Sequence, residues 1–158
     1  MPQTVKGHLR GDGMRIAIVV ARFNEHITSK LLQGALEGLK SHGVGDEDIV
    51  VVHVPGSFEL PSVAERLAQQ DEVDAVICLG AVVKHETDHY YYVATEAARG
   101  IASVARESEV PVIFGVLTCD NDQQALERAG GKEGNKGTDS ALVAIEMVNV
   151  LRQIEELR

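Results

Sequence analysis

The sequence predicts an α/β fold: a three-layer α/β/α sandwich with a four-stranded parallel sheet. Four short apolar runs rich in β-branched residues, at 14–21, 49–54, 73–80 and 112–118, read as strands buried on both faces. Between them, apolar residues recur at helical spacing. Strands alternating with helices imply parallel pairing, right-handed crossovers and a helical layer on each face. Neither linker nor repeat interrupts the 158 residues, so one domain over 1–158 is expected, with 1–13 as an N-terminal arm.

In chain order, Val5 to Leu9 alternates weakly before the turn signal Gly11-Asp12-Gly13. A strand added to a neighbouring subunit's sheet and a loose tail are both open for this arm. After the first strand, Ile27, Leu31, Leu32, Ala35, Leu36 and Leu39 predict a helix closed at His42-Gly43. The second strand ends at Pro55-Gly56. Leu60, Val63, Ala64, Leu67 and Ala68 mark the next helix, with Pro61 in its first turn. The third strand, 73–80, leads through Ala81-Val82-Val83-Lys84-His85-Glu86-Thr87-Asp88 into a helix from His89 to about Ser108. That helix is expected to bury Val93, Ala94, Ala97, Ala98, Ile101 and Ala105. The fourth strand is followed by a short helix over 122–129 and a glycine-rich loop over 130–137. A last helix begins near Thr138, with Leu142, Ile145, Val148, Leu151 and Ile154 on one side. The helices outnumber what a four-stranded sheet can cover, so some helical surface is expected to pack on other subunits.

Composition excludes several classes. A net charge of −9 without a basic stripe speaks against nucleic acid. No apolar run reaches the roughly 18 residues of a membrane span. The first residues lack a secretory layout, so a cytoplasmic location is expected. Cys78 and Cys119 lie in apolar runs without metal or redox spacing and read as buried free thiols. An acidic protein taking an anionic substrate needs local cations.

A parallel sheet gathers the loops at the carboxyl ends of its strands, where ligands bind. Those loops carry Arg22-Phe23-Asn24, then Pro55-Gly56-Ser57-Phe58-Glu59, then 80–92, then Thr118-Cys119-Asp120. Phe23 reads either as a helix anchor or as a platform for a planar ring. Ser57 and Glu59 read either as helix-end residues or as partners of a polyhydroxylated chain. Thr87 suits an N-cap beside an anion site, with Lys84 or Arg128 as the cation. His89, in a first helical turn, reads as a proton-exchanging imidazole or an ordinary surface histidine. His85 and His89 stand at i, i+4 without a third ligand at metal spacing. Phe114 suits the core, and Arg128 and Lys136 suit ordinary surface charge.

Taken together, the motifs resemble the lumazine synthase family. They are Arg22-Phe23-Asn24, Pro55 to Glu59, Leu79 to Lys84, Glu86-Thr87-x-His89, Pro111 to Thr118, and Glu127-Arg128-Ala129-Gly130 leading to Gly134-Asn135-Lys136-Gly137. The resemblance covers nearly the whole chain and implies a flavodoxin-like fold. It implies condensation of 5-amino-6-(D-ribitylamino)uracil with 3,4-dihydroxy-2-butanone 4-phosphate to 6,7-dimethyl-8-ribityllumazine, in riboflavin biosynthesis. Phosphate is released, and neither a metal nor an organic cofactor is implied. Phe23 would stack on the pyrimidine, and Ser57, Phe58 and Glu59 would hold that substrate and its ribityl chain. Backbone groups of Ala81, Val82 and Val83 would contact the pyrimidine edge. Glu86, Thr87 and Arg128 would bind phosphate, and His89 would carry the proton. Phe114 and Arg128 would come from the adjacent subunit, with Lys136 near the pocket.

The resemblance further implies a homopentamer, twelve pentamers in a 60-subunit shell, and association with riboflavin synthase. Members that stop at pentamers often carry extra residues in the late glycine loop, and this chain has none. The sequence departs from the pattern at His85, where glycine is frequent, at Tyr90, where phenylalanine is commoner, and at Gly131, where threonine is frequent. If position 85 requires a positive φ, histidine is strained there. The rival readings are a flavin- or nucleotide-binding module and a non-catalytic cage subunit. The first would want a glycine-bearing phosphate loop after strand one, and Arg22-Phe23-Asn24-Glu25 has no glycine.

Overall fold

The computed structural model describes residues 1–157. Four parallel strands form the sheet: β1 (Ile16–Ala21), β2 (Ile49–Val54), β3 (Ala75–Val83) and β4 (Val112–Cys119), in the order β2-β1-β3-β4. Helices α1 (Glu25–Ser41), α2 (Leu60–Ala68), α3 (His89–Glu107), α4 (Asp122–Glu127) and α5 (Lys136–Glu155) complete the two outer layers. This is the expected three-layer sandwich. No helix among the described residues is long and apolar enough to cross a membrane.

The layers follow from strand periodicity. In β1, Ile16, Ile18 and Val20 enter the core shared with α1 and α5, while Ala17, Val19 and Ala21 enter the core shared with α2 and α3. The central strand β3 is buried along all nine residues, as a strand covered on both faces must be. It also runs past Gly80, so Ala81, Val82 and Val83 are strand and not loop. Pairing decides this: Ala81, Val82 and Val83 sit opposite Leu117, Thr118 and Cys119 of β4. The edges β2 and β4 leave residues such as Val50 and Phe114 exposed.

Several expectations need correction. The arm is not a loose tail: it lies along α5. There Asn149 donates to the carbonyl of His8 at 2.8 Å and Gln153 to that of Lys6 at 2.6 Å. In α3 only Ala97 and Ile101 are fully buried; Ala98 faces out, one residue off the packed stripe. The glycine segment contains a small antiparallel pair, β5 (Ala129–Gly131) and β6 (Gly134–Asn135). Helix α5 starts before Thr138, because the Asn135 side chain accepts from the Gly137 and Thr138 amides at 2.8 and 3.2 Å. Its buried face is Ala141, Ala144, Ile145 and Val148, and Ile154 is exposed. Small residues win there because α5 lies close to α1: a Cβ on Gly137 would meet the Leu31 carbonyl.

Candidate functional site

At the carboxyl ends of β1, β2 and β3 a cavity of about 580 Å³ opens. It brings together Phe23, Ser57, Phe58, Glu59, Ala81, Val82, Val83, Thr87 and His89 from three separate stretches of chain. This is the crevice that a parallel sheet offers a ligand. Phe23 is 68% exposed and Phe58 56%, each a large apolar surface left in water. As a helix anchor Phe23 would be buried, so exposure favours the platform reading.

The cavity wall is fixed from beneath. Asn24 has φ 64, a left-handed conformation that asparagine tolerates better than most side chains. Its side-chain amide donates to the Ala81 carbonyl at 2.9 Å, tying the turn after β1 to the end of β3. The Phe23 amide donates to the Pro55 carbonyl at 3.0 Å, which ties the same turn to the loop after β2. Ser57 begins a one-turn 3-10 helix over Ser57–Glu59 and makes no side-chain cap. It is 5% exposed, packed above Gly80, where any Cβ would collide with its hydroxyl oxygen.

Helix α3 supplies the other wall with His89, Tyr92 and Val93 at i, i+3 and i+4. Its N-cap is Asp88, not Thr87, and no side chain caps it. The Thr87 hydroxyl instead accepts a long bond from the His89 amide at 3.4 Å. His85 also lines the cavity, and its backbone is not left-handed: among the described residues Asn24 is the positive-φ residue other than glycine. The strain expected of histidine at position 85 is therefore absent.

Four predicted residues lie elsewhere. Glu86, beside Thr87, is exposed and does not line the cavity. Arg128 and Lys136 line a separate depression of about 370 Å³ with Val116 to Cys119, Glu133 and Asp139. The Arg128 guanidinium donates to the Gln124 carbonyl at 3.0 Å and stands 3.8 Å from Glu127. Phe114, 38% exposed on the edge strand, lines neither cavity. Cys119 sits in the Arg128 depression; burial raises its thiol pKa, Arg128 opposes the rise and Asp120 adds to it. Cys78, deep in β3, is pushed by burial up to about 12. Both thiols are free.

Sequence reasoning assigned no site role to Asn24, Pro55, Gly56, Tyr90, Tyr92 or Val93, which also line the cavity. Helical spacing from His89 was the available signal for Tyr92 and Val93. Residues 13–152 match the model of the 6,7-dimethyl-8-ribityllumazine synthase family.

Proposed function

The chain belongs to the lumazine synthase family, and we propose that it condenses 5-amino-6-(D-ribitylamino)uracil with 3,4-dihydroxy-2-butanone 4-phosphate, yielding 6,7-dimethyl-8-ribityllumazine and phosphate. Its family is that of a transferase of riboflavin synthesis. The observation that carries the specific reading is the single cavity that joins an exposed phenylalanine, a carboxylate, a strand end and an imidazole.

Phe23 stacks on the pyrimidine, gaining contact as water leaves the ring face. Ser57 and Glu59 bind the ribityl hydroxyls, the carboxylate accepting from neighbouring O–H groups. Phe58 closes the apolar rim. Backbone groups of Ala81, Val82 and Val83 fix the pyrimidine edge. With both substrates held, an amine attacks the ketone carbon and water leaves as the imine forms. Phosphate departs as a neighbouring C–H proton is removed, and ring closure with a second dehydration gives the product. His89 takes and returns protons in these steps. Positioning two substrates supplies most of the acceleration.

Phosphate is held by Thr87 and Glu86, chiefly through backbone N–H, and by Arg128. In the proposed homopentamer Arg128 and Phe114 come from the adjacent subunit, with Lys136 near the pocket, and twelve pentamers form a shell. Support comes from the exposed edge strand β4 and from all three residues lying outside their own chain's cavity. Mixing the protein with both substrates and following lumazine fluorescence tests the activity. A rate equal to the uncatalysed one would overturn it. Light scattering tests the shell, and isolated pentamers alone would remove it.

A further inference from the structure

The cavity holds a second imidazole that the proposed chemistry leaves unused. Among the described residues lining it, none is Lys or Arg, so the cations that this chain itself brings to its cavity are His85 and His89, beside the Arg128 proposed from the neighbouring subunit. Arg128 opens onto the other depression of its own chain. His85 lies on the irregular segment between β3 and α3, two residues from Thr87, and is exposed where it lines the cavity. It takes part in no ion pair among the described residues, whereas His26 is paired with Asp122.

We propose that His85, as the imidazolium, pairs with the phosphate of the four-carbon substrate and makes its binding pH-dependent. The inference rests on the proposed function for the substrate's identity, but not for the presence of an anion site. Facing groups decide the sign. Glu59 is the cavity's carboxylate, and His89, Tyr90 and Tyr92 face it from α3. Lys84 and Glu86 flank His85 in sequence, and Asp88 lies three residues on; none of the three lines the cavity. The Lys84 amide bonds the Cys119 carbonyl at 2.9 Å, which brings Asp120 and the Arg128 depression to that side. A bound phosphate dianion favours the imidazolium over the neutral ring. Anion affinity therefore rises as pH falls through the imidazole range.

Sulfate is the suitable probe, because its charge is constant where phosphate's is not. Calorimetric titration of the assembled protein should show sulfate binding about fivefold tighter near about pH 6 than near about pH 8. His85→Gln should flatten that ratio to about 1.5-fold or less, His85→Lys should bind sulfate with little pH dependence, and His89→Gln should keep the wild-type slope. In turnover, His85→Gln should raise KM for the phosphate substrate about threefold at about pH 6 and leave KM for the pyrimidine unchanged. A flat wild-type profile, an unchanged slope in His85→Gln, or loss of the slope in His89→Gln would each overturn the assignment. If the wild type makes no lumazine, the activity reading fails alone, since calorimetry reads the anion site without turnover.

Discussion

The cavity around Phe23 and His89 and the depression around Arg128 lie at the ends of adjacent strands, yet they are built in opposite ways. The first is fixed by the fold. Asn24 is tied to Ala81, Ser57 is wedged over Gly80, and β3 beneath is buried throughout. The second lies open along the edge strand β4, its cations on exposed side chains, with Arg128 held by one carbonyl bond and by Glu127 at 3.8 Å. A planar ring that must be stacked and oriented needs preset walls, because each loosened contact costs rate. A phosphate needs reachable charge, which a long side chain can bring from a neighbouring subunit.

The largest effect that would break this contrast comes from joining its halves. His89→Ala should lower kcat about a hundredfold, and Arg128→Gln should raise KM for the phosphate substrate about thirtyfold. Refolded together and assayed with the phosphate substrate well below KM, the two variants should regain roughly a quarter of wild-type activity, since a quarter of mixed subunit interfaces restore both residues. Activity no higher than the parents' average would put both residues in one subunit's site.

Gly80→Ala probes the fixed half alone. The added Cβ meets the Ser57 hydroxyl and comes 3.2 Å from Leu60 Cδ1, so about 1–3 kcal/mol of stability should be lost. KM for the pyrimidine should rise with it. Thermal unfolding and steady-state kinetics read the two effects, and an unchanged melting temperature would show that the wall is softer than described. Phe23→Ala should raise KM for the pyrimidine about tenfold, with kcat little changed. An equal rise for the phosphate substrate would deny the division of labour.

The smallest effect compares the thiols. Cys119 lines the open depression and Cys78 is sealed in β3, so an alkylating reagent near about pH 8 should label Cys119 first, as mass spectrometry would show. Cys78 also carries a pH signature. Its folded pKa, about 12, lies above its ordinary 9.0, so burial favours the neutral thiol. That contribution is complete below pH 9.0 and is lost as pH rises toward about 12. Cys78→Ala should flatten this part of the alkaline unfolding curve; an unchanged curve would assign the loss to other groups.

Strand and helix periods were legible from the sequence because they report local burial, and β2 and α2 occupy the expected residues. The ends of β3 and α5 were not, since pairing with β4 and the Asn135 cap set them. Ala98 and Ile154 show the same limit. Apolar spacing indicates a face, but packing against neighbouring elements decides which part of it is sealed. Exposure of Phe23 was equally out of reach, because a phenylalanine at a strand end serves as anchor or platform with the same letters.

By itself, then, the sequence determined the layer order, the parallel sheet and the chemical repertoire of the loops, since these depend on periodicity and residue type. Only the tertiary structure decided which loop residues share a cavity. It joined His85 and Tyr92 to Phe23 and His89, and kept Phe114, Arg128 and Lys136 away. The reason is geometric. Residues far apart in the chain meet through strand order and crossover direction, and β4, at the sheet's edge, turns its residues toward whatever lies beyond the chain.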